Sequence, residues 1–156
     1  MKIWNRLKPE HIFLNVFLPD KDAVFEFVAE TFAKKGIVKD PDKLCNGLNK
    51  REDVMSTGIG KGIGIPHTTS SEAATAAILL IRLINPIDFE SLDALPVDII
   101  LPIVVPEYKT GLHLQILAGL SRLCRNPEFT ESIRHAENSE QLLEQIKEVE
   151  ETIAFH

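Results

Sequence analysis

Ala76–Ile84 reads AAILLIRLI and Val97–Val105 reads VDIILPIVV. Both are rich in β-branched residues and almost unbroken by polar ones. Such runs fit central strands covered on both faces, because a strand with one wet face would alternate apolar with polar. Each is too short to cross a bilayer, which takes about 20 apolar residues. Asn85-Pro86 and the segment around Asp93 separate them as loop.

Helical patterns lie on either side of these runs. Pro19-Asp20 opens a helix in which Val24, Phe25, Phe27, Val28 and Phe32 form a wide apolar stripe. Lys34 and Lys35 suit its negative end, and Gly36 is a natural stop. Before it, His11–Leu18 (HIFLNVFL) reads as a strand or extended lead-in. A second helix starts at Asp40-Pro41, carries Leu44, Cys45 and Leu48, and continues toward Val54. Thr110 is the expected N-cap of a helix to about Arg125. Leu112, Ile116, Leu120 and Leu123 make one stripe there, and Leu114, Leu117 and Ala118 a second, so this helix is expected to be largely buried. Pro127 begins a short helix. Asn138-Ser-Glu-Gln141 resembles a capping box and begins the last one, with Leu142, Leu143, Ile146 and Val149 facing inward. Buried strands between groups of helices predict an α/β fold in three layers.

The 156 residues fit one domain, here expected to be 1–156. Apolar residues make up 44% and charged residues 26%, which excludes a disordered chain. The net charge is −6 and no Lys/Arg run exceeds two, so nucleic acid is a poor partner. Cys45 and Cys124 form neither a disulfide framework nor a zinc knuckle, and free thiols suit the cytosol. The opening MKIWNRLKPEH lacks the apolar core of a secretory signal. The expectation is a cytoplasmic protein without membrane insertion.

Gly58–Ile65 (GIGKGIGI) holds half of the eight glycines, alternating with Ile59, Lys61 and Ile63. It reads as a strand with one bare face, ending at Pro66-His67. Glycine weakens a strand, and its usual reason is close approach of another backbone or a ligand. The spacing matches neither G-x-G-x-x-G nor a Walker A loop. Two readings of His67 stand at this level: a polar cap on a bare strand under a helix, or an exposed nucleophile in a tight pocket. His113 falls in the first turn of the helix after Thr110. A helix start gathers free N–H groups and partial positive charge, which favours phosphate. It could equally be a half-buried neighbour of Leu117 and Leu120. His11, His135 and His156 read as surface residues, and Glu144–Glu151 as a solvated helix face.

Glu52, Ile59-Gly60 and Ile63-Gly64-Ile65-Pro66-His67, in this spacing, resemble the phosphohistidine signature of the enzyme IIA component of the bacterial sugar phosphotransferase system, fructose/mannitol class. That class includes the nitrogen-regulatory enzyme IIA proteins. Arg51–Thr57, Asn85–Phe89, Pro96–Asp98 and Leu112–Leu114 are also similar to family features, so the resemblance covers most of the chain. It implies a mixed β-sheet flanked by helices on both faces. It implies that His67 accepts a phosphoryl group from the phosphocarrier HPr, and that His113 and Arg51 stabilise it. It implies an enzyme IIB or a regulatory target as the next partner, and no cofactor or metal. Gly62 and Gly64 are expected to let two protein surfaces close over the site. Two departures stand out: Gly64 where the family usually has Ala, and Thr68 where it usually has Gly. Thr69, Ser70 and Ser71 replace the basic residues that often follow.

The absence of a fused domain favours a stand-alone regulator of the nitrogen type over a sugar-transporting component. The alternatives are a binding module that kept the fold without phosphate turnover, and a histidine-dependent phosphate-ester hydrolase. The hydrolase requires a water-activating group that the sequence does not place.

Overall fold

The computed structural model describes residues 2–154. Two 3-10 turns, Trp4–Arg6 and Pro9–His11, lead into β1 (Ile12–Val16). Helices α1 (Lys21–Lys34) and α2 (Pro41–Val54) follow. Asp20 and Asp40 cap them by accepting from the backbone N–H of Ala23 and Lys43. The strands come next: β2 (Gly58–Gly60), β3 (Ile63–Gly64), β4 (His67–Ser70), β5 (Ala77–Ile78), β6 (Leu80–Ile87), β7 (Val97–Ile100) and β8 (Ile103–Pro106). Three helices finish the chain: α3 (Thr110–Cys124), α4 (Pro127–His135) and α5 (Ser139–Ala154).

The strands form two mixed sheets, ordered β1-β6-β7-β3-β2 and β4-β8-β5. Helices cover both faces, as expected, but the single sheet of the sequence reading is divided. The division has a chemical cause. Ile63 pairs with Ile99 and His67 with Ile103 in one unbroken register, which sets Pro66 beside Pro102. Neither proline has an N–H to give the ladder. Their carbonyls still accept, from Ile103 and Leu79 respectively. The two sheets therefore meet along a seam through Pro66 and Pro102, and His67 is the first residue beyond it.

Alternation inside the apolar runs sends their residues to two cores. Ile78, Leu80, Ile99, Leu101, Ile103 and Val105 pack with α3, α4 and α5. Leu79, Ile81, Leu83, Ile100 and Val104 pack with α1 and α2 around Phe25 and Phe32. An unbroken apolar run is what two covered faces require.

Several expectations are corrected. Gly58–Ile65 is not one strand but a tight hairpin, in which Gly58 pairs with Gly64 and Gly60 with Ile63. Gly60, Lys61 and Gly62 all have positive φ (94°, 59° and 81°), so these glycines serve a turn rather than a bare face. Lys109, not Thr110, is the N-cap of α3, and no side chain caps that end. The second stripe of α3 is largely open, with Leu114 and Ala118 exposed. His11 is buried rather than superficial. Glu150 leaves the solvated acidic face of α5: it is buried and accepts from the N–H groups of Ile3 and Trp4, at 2.7 and 2.8 Å. His135 is exposed, as expected, and His156 lies outside the described residues.

Candidate functional site

His67 opens β4, an edge strand. Its partner Ile103 belongs to the α3 side of the sheet, and so does its imidazole. Thr68 pairs with Val104 and faces the α2 side. There its hydroxyl lies 3.0 Å from where a Cβ on Gly47 would stand. Thr68 is thus accommodated by a helix glycine one turn before Arg51, away from the imidazole.

Two hydrogen bonds fix the state of His67. Its Nδ1 is 2.8 Å from the carbonyl oxygen of Ile65, which can only accept. Its Nε2 is 3.2 Å from Nε–H of Arg51, which can only donate. The ring is therefore the neutral tautomer with hydrogen on Nδ1 and the lone pair of Nε2 facing outward. Burial holds its pKa below the ordinary histidine value, and the Arg51 and His113 charges add to that. The carbonyl of Ile65 and the carboxylate of Glu52 oppose them.

Arg51 sits in the last turn of α2 and reaches past the sheet edge. Its Nη1 donates to the carbonyl of Met55 at 2.8 Å, which sets the guanidinium plane. His113, from the first turn of α3, meets His67 edge to face with ring centroids 5.3 Å apart. Burial, then Arg51, lowers its pKa too. His113 Nε2 is buried with no hydrogen-bond partner among the described residues. His67, His113 and Arg51 thus converge from three elements on one half-buried spot.

Behind the site lies an ion pair. Glu52 accepts from Lys21 Nζ at 2.8 Å and from the N–H of Thr57 at 2.9 Å, and also from the Thr57 hydroxyl. Its side chain is only 6% exposed. Lys21 also lies over the Phe89 ring, 4.8 Å from its centroid. This cluster ties the end of α2 to the start of the hairpin and so holds Arg51 in place. The sequence marks Glu52 within the signature and Thr57 at the end of a family-like segment, but not Lys21 or the carbonyl of Ile65. Lys21 is the first residue of a helix far away in sequence, and nothing local marks it.

The glycines do not leave room for a partner surface, contrary to expectation. A Cβ on Gly62 would meet Arg134 at 2.6 Å and Asp98 at 2.9 Å, and one on Gly64 would meet the Phe89 ring at 3.0 Å. Arg134 forks onto Asp98 and donates to the carbonyl of Lys61, clamping the hairpin turn to α4. Gly62 and Gly64 are filled by the protein's own side chains.

A family model described as phosphoenolpyruvate-dependent sugar phosphotransferase system, EIIA 2, matches residues 5–149. The chain belongs to this family. It is 32% identical over 131 residues to the PTS system fructose-specific EIIA component of Haloferax volcanii, covering 84% of this chain and 85% of that one. It is 31% identical over 144 residues to a nitrogen regulatory protein of Pseudomonas aeruginosa, covering 92% and 94%. The crystal structure of nitrogen regulatory protein IIA-Ntr from Neisseria meningitidis matches with a TM-score of 0.86 at 28% identity, covering 92% of this chain and 98% of that one. Membership of the EIIA family gives the chain a phosphocarrier role in the phosphotransferase system. No helix among the described residues is long and apolar enough to cross a membrane, and no group of three or more His, Cys, Asp and Glu among them could hold a metal ion.

Proposed function

We propose that His67 is the phosphoryl acceptor, with phospho-HPr as donor. The observation that carries this reading is the pair of one-way hydrogen bonds that leaves Nε2 unprotonated, its lone pair accepting from a guanidinium. Nε2 attacks the donor's phosphorus in line. A new N–P bond forms as the donor's own N–P bond breaks, and the proton stays on Nδ1. Phosphoryl transfer runs through a loose transition state, so positioning and charge balance supply most of the catalysis. Arg51 turns its donors from Nε2 to the phosphoryl oxygens. The same oxygens give His113 Nε2 the partner it lacks within the chain. The neutral rings suit both roles: one attacks, the other donates without repelling Arg51.

The phosphoryl group then passes to an enzyme IIB or remains as a regulatory state. The similarity to nitrogen regulatory proteins, along 92% of the chain for the Pseudomonas relative, favours the regulatory use. Incubation with enzyme I, HPr and phosphoenolpyruvate tests the acceptor. Acid-labile, base-stable phosphate is expected on the wild type and none on His67→Ala. A competent HPr that fails to label the folded wild type overturns the proposal and leaves the binding module. That module draws no support from Thr68, whose side chain packs on Gly47 rather than over the imidazole.

A further inference from the structure

At the far side of the three-stranded sheet from His67, a cavity of about 260 Å³ opens between the first 3-10 turn, the end of α1 and the start of β5. Arg6, Lys8, His11 and Lys35 line it, and no carboxylate does. That is a marked bias in a chain with six more acidic than basic groups. None of Arg6, Lys8 and Lys35 makes an ion pair among the described residues. His11 is 8% exposed, and its Nδ1 is buried without a hydrogen-bond partner. Buried polar groups are ordinarily satisfied, so an orphan in a cavity wall points to a partner that comes from outside. Asn5 and Thr75 add neutral polar groups, and Ile37 and Ala76 add a small apolar wall.

We infer that this cavity binds a small oxyanion, either inorganic phosphate or the phosphate head of a short-chain monoester. Arg6 presents a fork that matches phosphate oxygens, Lys8 and Lys35 supply point charges, and His11 supplies a ring hydrogen bond. The apolar wall takes the carbon body of an ester. The site is separate from the phosphohistidine reading: its residues come from the first turns, α1 and β5, and none touches His67. Burial and the Lys35 charge hold the His11 pKa low, with Lys8 adding to this and Glu10, exposed nearby, opposing it. The charge of a bound anion opposes that lowering, so binding is readable on the ring itself.

The test is a titration of the full chain with inorganic phosphate and, separately, glycerol 3-phosphate, followed by nitrogen–proton correlation spectra of the histidine rings. A saturable shift of the His11 signals is expected, with a rise in its apparent pKa. Arg6→Gln with Lys35→Gln should weaken binding at least tenfold while the His67 and His113 signals keep their positions. His67→Ala should bind as the wild type does, which separates this cavity from any phosphate held at the active centre. Tighter binding of the ester identifies an organic phosphate; equal binding identifies the free ion. Shifts confined to His67 and His113, a His11 shift that grows without saturating, or unchanged affinity in the double variant each overturn the inference.

Discussion

Arg51 donates to the nitrogen of His67 that faces away from the backbone, at 3.2 Å, while the other nitrogen is held by the carbonyl of Ile65 at 2.8 Å. The guanidinium favours the unprotonated form of that nitrogen, and in the proposed transfer it marks where the phosphoryl group is received. Arg51→Gln removes the charge and the fixed fork together. Loss of one preorganised donor at a reacting centre slows the chemical step by about 10²–10³-fold. Rapid-quench measurement of transfer from phospho-HPr should show that loss with the fold intact, because the side chain is only half-buried.

Acid should stop the carrier and loosen the fold in the same range. His11, His67 and His113 all have folded pKa values lowered below 6.5, with burial as the first cause of each. Between the lowered folded value and the unfolded one, the unfolded chain binds more protons, so stability rises with pH across that window. It is fully present above about pH 6.5 and is lost as pH falls through the folded values. The rate of phosphoryl uptake should be flat above neutrality and fall on the acid side as His67 gains its proton. Urea midpoints at pH 5 and pH 7.5, and in His11→Gln, check the stability half.

Glu52→Ala should leave Lys21 without its nearly buried partner and strip Thr57 of two hydrogen bonds. Removing one member of a buried pair destabilises by about 3 kcal/mol. Urea unfolding measures it, and Glu52→Gln should recover part of the loss by keeping the bonds to Thr57. Because the pair anchors the end of α2, transfer to His67 should slow in the alanine variant even at temperatures where it remains folded.

Glu150→Ala should orphan the N–H groups of Ile3 and Trp4. Hydrogen bonds to a charged group contribute roughly 1.5–3 kcal/mol each way they are counted, so a loss of about 2 kcal/mol is expected. Amide hydrogen exchange should accelerate at residues 3 and 4 well before it does in the sheets.

Gly64→Ala adds a methyl group 3.0 Å from the ring of Phe89. That ring is fully buried against Phe25, with centroids 6.1 Å apart, so it has little room to move. Overpacking of this kind destabilises by about 1–3 kcal/mol. Phe89→Leu in the same chain should return part of it, and a double-mutant cycle on the thermal midpoint measures the coupling.

The layers were legible in the sequence because two apolar runs without polar interruptions need cover on both faces. The helix starts at Asp20, Asp40 and Pro127 were legible from their chemistry. The hairpin was not: glycine alternation imitates a strand, and only the left-handed backbone at Gly60, Lys61 and Gly62 distinguishes a turn. Gly-Lys-Gly between isoleucines was the signal available. His11 and Glu150 were misplaced because charged neighbours suggested a wet surface, whereas each faces inward from the edge of its element. For the site, the residues alone left His67 and His113 open between structural and chemical roles. The grouping of both with Arg51 came from the family resemblance, since no periodicity relates α2, β4 and α3.

The hairpin glycines bear on how this protein can change over generations. Gly58, Gly60, Gly62 and Gly64 each receive a different side chain: Ser91, Asp93, Arg134 and Phe89. Every such position is a socket already holding its plug. A lineage that placed alanine at position 64 would carry that crowding until a smaller or displaced group stood at 89, so changes at the two sites are coupled.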